Sequence, residues 1–289
     1  MALRILRDVP YAEALVAGGR HKLTLAYDAY LPEGPEAGPG PFPAVVLAFG
    51  GAFLRGSKED DCYPSAGKYG PNTAQAEYCR RFAAEGFACF SIRYRLAGDE
   101  PVPGDTQVLG NHAETPLDRI AVVREILGLP ATTPEAVAQV MEAAIDDFAA
   151  ATRAIAARAA DYRLDPTRMV LGGWSAGARC ALYAAYGEKV PCAGIIAMSS
   201  LVQPGDIPRH LGGPGPYAPV QIISAEEDIA YLRPEPLAAQ VAALRAAGVD
   251  AQHSVVLGRD HWYAAEAMTS DGVSVQGVMR AALRRFTGA

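Results

Sequence analysis

The chain has 289 residues, half of them hydrophobic and one in five charged, with a formal net charge of −6. That suffices to bury one large core, so residues 1–289 are expected to form a single domain; it excludes a disordered chain, and the lack of any Lys/Arg-rich run argues against nucleic acid as a partner. No apolar stretch reaches the roughly 18–20 residues of a membrane span, and the first ten residues carry Arg4, Arg7 and Asp8 where a secretory signal has an apolar block of about 7–15 residues, so a cytoplasmic location is expected.

In chain order, residues 21–30 alternate apolar and polar and predict a strand. Residues 32–43 are rich in Pro and Gly and predict a loop, and 43–49 form a fully apolar run expected of a buried central strand. A helix is predicted at 72–86 and a strand at 87–93. Then the rhythm breaks. Residues 96–139 open with Pro101, Pro103 and Gly104 and carry helix-like pieces at 120–127 and 134–141, far more chain than a plain crossover needs; a cap inserted at about 97–140 is expected. A long helix follows at 143–162, a strand at 169–172, a helix at 176–186, short strands at 194–198 and 219–224, a helix at 235–247, a last strand at 252–257 and a last helix at 273–286. Strands alternating with helices predict crossover units and a mostly parallel sheet flanked by helices. The five cysteines contain no CxxC pair, so zinc-ligand spacing is absent. Cys62 and Cys79 flank a loop and could pair; the missing signal argues against bonding them.

Gly173-Trp174-Ser175-Ala176-Gly177 fits G-x-S-x-G, with an apolar strand leading in and an Ala-rich helix leading out. In that context the serine sits on a sharp strand-to-helix turn with its hydroxyl thrust outward, and the flanking residues must be small so that neighbouring backbone can approach. A serine hydroxyl needs an adjacent base. The partners of such a turn follow in the order Ser, Asp or Glu, His. That order removes His21 and His112; His210 comes too early and His253 lies inside the last strand, which leaves His261 in the loop beyond it. The acid should follow the strand at 219–224, where Glu226, Glu227 and Asp228 are all available. One oxyanion donor is the amide after the nucleophile, Ala176, and the others are expected from Phe49-Gly50-Gly51-Ala52-Phe53, the loop after the first central strand. Phe53, Trp174, Trp262 and Tyr263 are candidates to line an apolar pocket.

These motifs resemble the α/β-hydrolase esterases and lipases, near the BD-FAE-like and hormone-sensitive-lipase-like carboxylesterases. Ser91-Ile92-Arg93-Tyr94-Arg95-Leu96-Ala97 is similar to their N-Y-R-L-A, Asp165-Pro166-Thr167-Arg168 to D-P-x-R, and Ala246-Ala247-Gly248-Val249 to the approach to their last strand. Ser224-Ala225-Glu226-Glu227-Asp228 aligns with their H-G-x-x-D, which selects Asp228 as the acid with Glu227 as the alternative. The Phe49–Phe53 loop resembles their HGGG loop and implies Gly51 and Ala52 as donors, although Phe49 replaces the histidine and Ala52 the third glycine. The resemblance implies a serine hydrolase cleaving carboxylic esters of small to medium size through Ser175, Asp228 and His261, with no cofactor or metal. Its partner is a small-molecule ester, and a homodimer is compatible with it. Amide or formamide hydrolysis, lactone hydrolysis and a non-catalytic binding module are the competing readings.

Overall fold

Strands β1 (Ala2–Val16) and β2 (His21–Glu33) pair antiparallel, and β2 in turn runs antiparallel to β4 (Ala88–Ile92). All remaining pairs are parallel: β4 with β3 (Phe42–Ala48), then β5 (Leu164–Trp174), β6 (Gly194–Met198), β7 (Val220–Glu227) and β8 (Ala251–Asp260). The result is one eight-stranded sheet in the order β1-β2-β4-β3-β5-β6-β7-β8. This computed structural model describes residues 1–63 and 67–289.

Every residue of β3 and β4 is buried, as expected of strands covered on both faces. On one face Val45 and Leu47 pack with α1 (Gln75–Ala83) and, at the far end of the chain, α8 (Val275–Thr287). On the other, Ala44, Val46 and Ala48 pack with α3 (Pro134–Ala157) and α5 (Ala176–Tyr186). The remaining helices are α2 (Asp118–Ile126), the single turn α4 (Ala159–Tyr162), α6 (Asp206–Leu211) and α7 (Pro234–Ala246). No helix among the described residues is long and apolar enough to cross a membrane.

Two features depart most from the sequence expectations. The first strand, β1, was not anticipated: its alternation is broken by register shifts at Leu6/Val9 and Pro10/Ala12, so no clean period of two is readable. The helix-like piece at 134–141 and the long helix beyond it are one continuous α3, opened by Pro134 and by Thr133, whose hydroxyl accepts from the Ala136 amide at 3.2 Å. Residues 134–140, expected in the cap, belong to the crossover helix itself. Cys62 and Cys79 are both free thiols, Cys79 being buried in α1.

Residues 95–109 are fastened to α3 by carboxylates. Glu142 accepts the amides of Val108 and Leu109, Asp146 that of Gly104, and Asp147 holds the buried Arg95 guanidinium at 2.8 Å. The rest of Arg95 donates to the carbonyls of Leu15, Val102 and Ala143.

Candidate active site

The carboxyl ends of the parallel strands meet at one rim, where Gly173 lies opposite Ala48 and Trp174 opposite Met198. Between β5 and α5 the backbone turns at Ser175 with φ 54° and ψ −114°, a conformation that costs a non-glycine residue on the order of 1–3 kcal/mol and persists only where neighbours over-determine it. The Ser175 amide donates to the Met198 carbonyl at 2.7 Å. The flanking glycines let β3 close in: a Cβ on Gly173 would stand 2.4 Å from the Ala48 oxygen, and one on Gly177 2.1 Å from it.

His261 directly follows β8, and Asp228 directly follows β7. The imidazole Nε2 lies 3.0 Å from the Ser175 Oγ, and Nδ1 lies 2.7 Å from the Asp228 Oδ1. Both side chains are buried. The other Asp228 oxygen accepts from the Ser199 hydroxyl at 2.6 Å and the Ala225 amide at 3.1 Å, and Oδ1 also accepts the Ile229 amide. Burial alone would raise the Asp228 pKa. The His261 charge and these hydrogen bonds outweigh it and hold the carboxyl below its ordinary value. Glu227 instead pairs on the surface with Lys68 and Tyr69, and Glu226 accepts the Gly258 amide. His253 meets the Ser224 hydroxyl, His210 donates to the Val108 carbonyl, and His112 lies by Glu142.

The amides of Gly51 and Ala52 have no acceptor among the described residues, and Ala176 opens α5, where an amide has no partner within the helix. Phe49 cannot brace this loop as a histidine would, and other groups hold it. The Asp61 carboxylate accepts the Gly50 amide at 2.9 Å and the Gln75 amide at 2.7 Å, the Tyr94 hydroxyl donates to the Phe49 carbonyl, and the Phe49 ring stacks on Tyr94. Asp61 is fully buried, and that burial, opposed by the two amide hydrogen bonds, pushes its carboxyl up to about 7.

Phe53 lines a cleft beside Ser175, and Trp174 and Trp262 line a second, narrower one. Tyr263 lines neither: its hydroxyl lies 3.0 Å from Ser199 and donates to the Ile223 carbonyl, behind Asp228. Sequence reading missed Asp61, Ser199 and three arginines, Arg55, Arg119 and Arg179, that line these clefts. One carboxylate cluster elsewhere, Asp8, Asp28 and Glu59, is filled by the Lys58 ammonium, 2.7 Å from Asp28 and 2.9 Å from Asp8.

Known proteins with a similar chain trace include the novel thermophilic esterase Est2 of the Planctomycetes species Thermogutta terrifontis. Native Est2 aligns with 94% of this chain and 90% of its own at 17% identity and TM-score 0.56. Its propionate-bound form gives 94% and 92% coverage, 17% identity and TM-score 0.56, and the form phosphorylated by paraoxon 95% and 93%, 17% and 0.57. This chain has the α/β-hydrolase fold. At such identity the likeness is one of fold. Within the hydrolase fold, a family model described as Phospholipase/Carboxylesterase matches residues 129–229, the stretch from just before α3 through Ser175 to just past β7. No curated protein matches the chain.

Proposed function

We propose that the chain is a serine hydrolase of carboxylic esters, of the BD-FAE-like or hormone-sensitive-lipase-like kind. The observation that carries this reading is the row Ser175–His261–Asp228, hydrogen-bonded at 3.0 and 2.7 Å, with its serine on the strained turn. The family model and the esterase neighbours support it. In this mechanism Ser175 Oγ attacks the ester carbonyl carbon while His261 Nε2 takes its proton. Asp228 holds the Nδ1–H and balances the imidazolium. The amides of Gly51, Ala52 and Ala176 receive the oxyanion. His261 then protonates the departing alkoxide, and water, deprotonated by the same nitrogen, releases the acid.

The cleft beside Ser175 has a volume of about 40 Å³, room for about three water-sized groups, which favours a short arm on that side. A larger, mainly apolar pocket of about 490 Å³ adjoins it, sharing Pro116, Arg179 and Tyr231, and suits a medium-sized remainder. Residues 97–133 act as the cap of this site, because α2 and the turn before it supply Pro116, Arg119 and Ile120 to the cleft wall. Ser175→Ala is expected to lower kcat on p-nitrophenyl acetate by at least about 10⁴; a variant keeping a tenth of the activity would overturn the reading.

A further inference from the structure

Among the described residues two arginines are buried, Arg95 and Arg179, and they are treated in opposite ways. Arg95 is fully engaged by Asp147 and three carbonyls. Arg179 is 6% exposed, yet its Nη1 is sealed from solvent without a hydrogen-bond partner, and no carboxylate lies within 4.0 Å of it among the described residues. It lies one turn into α5, its amide bonded to the Ser175 carbonyl at 3.1 Å, and its side chain lines the cleft beside the nucleophile.

Two more cations line the clefts at Ser175: Arg119 lines the same cleft as Arg179 and also the narrower one, and Arg55 lines the narrower one. Arg119 of α2 lies over the Trp262 ring at 4.5 Å, and Arg55 over the Tyr63 ring at 4.4 Å with its Nε sealed and unpartnered. Neither forms an ion pair among the described residues. Burial and the Arg55 charge lower the Arg119 pKa, as expected of cations crowded without a counter-charge. Neither cleft beside Ser175 has an Asp or Glu in its lining.

A buried charge without a partner costs several kcal/mol, and arginine cannot escape by deprotonating as lysine can. The planar guanidinium fork matches a carboxylate, and the amino end of α5 adds further positive potential. We propose that the substrate is an ester with a carboxylate on its short arm, and that Arg179 and Arg119 bind this carboxylate beside the reacting carbonyl. The inference rests on the esterase reading above and names its substrate class. Hydrolysis breaks the acyl carbon–oxygen bond, adds the elements of water, and gives a short dicarboxylic acid when the carboxylate is on the acyl side.

The test compares mono-p-nitrophenyl glutarate with p-nitrophenyl pentanoate, equal in carbon count, after subtracting spontaneous hydrolysis. The wild type should prefer the anionic ester at least tenfold in kcat/KM, mainly through KM. Arg179→Met and Arg119→Met should each cut that ratio at least tenfold, and Arg179→Lys should keep part of it. A wild-type ratio of one or less, or a ratio unchanged in both methionine variants, overturns the proposal. Calorimetry with glutarate and glutaramide needs no turnover. Glutarate should bind the wild type at least tenfold tighter, with the difference lost in Arg179→Met; equal binding of the two overturns the proposal. If no ester of either kind is turned over while charge-selective binding persists, the esterase reading fails and the anion site stands. Turnover without charge preference has the opposite meaning.

Discussion

Replacing Gly177 by Ala tests the geometry of the serine turn at one atom. The added Cβ would lie 2.1 Å from the Ala48 oxygen, 2.4 Å from its carbonyl carbon and 2.5 Å from the Phe49 oxygen. All three are main-chain atoms of β3 and the loop that follows it, so no side chain can swing aside. Restoring ordinary contact pushes the start of α5 away from β3 by about 1 Å. Overpacking of this kind costs typically about 1–3 kcal/mol, and a shift of about 1 Å between the serine turn and the amides of Gly51 and Ala52 is worth about 10² in rate. The assay is kcat on p-nitrophenyl acetate together with urea denaturation. Gly205→Ala, where a Cβ would meet nothing within 4 Å, serves as the control and should match the wild type. A Gly177→Ala variant with wild-type stability and kcat within threefold would refute the close approach of β3 to α5.

Asp228→Asn should lower kcat on the same ester by about 10³–10⁴ while leaving the fold intact; a larger loss from Glu227→Gln would transfer the role. The buried arginines should separate in denaturation experiments: Arg95→Met strands the buried Asp147 carboxylate and is expected to cost about 3–5 kcal/mol, whereas Arg179→Met removes a charge with no partner and should cost less than about 1 kcal/mol or stabilise. Equal losses would contradict the contrast drawn between them. Asp61 has a folded-state pKa of about 7, above its ordinary 3.8. Its contribution to stability is thus complete below about pH 4 and is lost as pH rises through 7. Relative to Asp61→Asn, the wild type should lose on the order of 4 kcal/mol between pH 4 and pH 8; a gap constant with pH would refute the burial argument.

What could be read in the sequence was what short-range pattern encodes. The apolar runs of β3 through β7 and the glycines around Ser175 are local, and chain order together with the position of the last strands singles out His261. The three carboxylates at 226–228 could not be separated this way, because which one turns inward depends on how β7 ends: Glu226 and Glu227 continue the strand outward, and Asp228 folds back under the Ala225 amide. Asp61 stands in the run Glu59-Asp60-Asp61, which has the look of a solvated loop. It is buried because the chain carries it under Gly50 and Gln75. Arg179 is masked by its Ala-rich helix, where a cation normally snorkels to solvent; only the tertiary fold, which brings Pro116, Leu201 and Tyr231 to the same clefts, encloses it. β1 escaped notice because two register shifts scramble its alternation.

In the proposed mechanism His261 and Asp228 make the Ser175 hydroxyl an attacking group. Intact-protein and peptide mass spectrometry after treatment with a fluorophosphonate tests it most directly. The account predicts a single adduct on Ser175, absent in Ser175→Ala and slowed at least about 10³-fold in His261→Ala. A wild-type protein that stays unlabelled, or is labelled equally fast without His261, would contradict it.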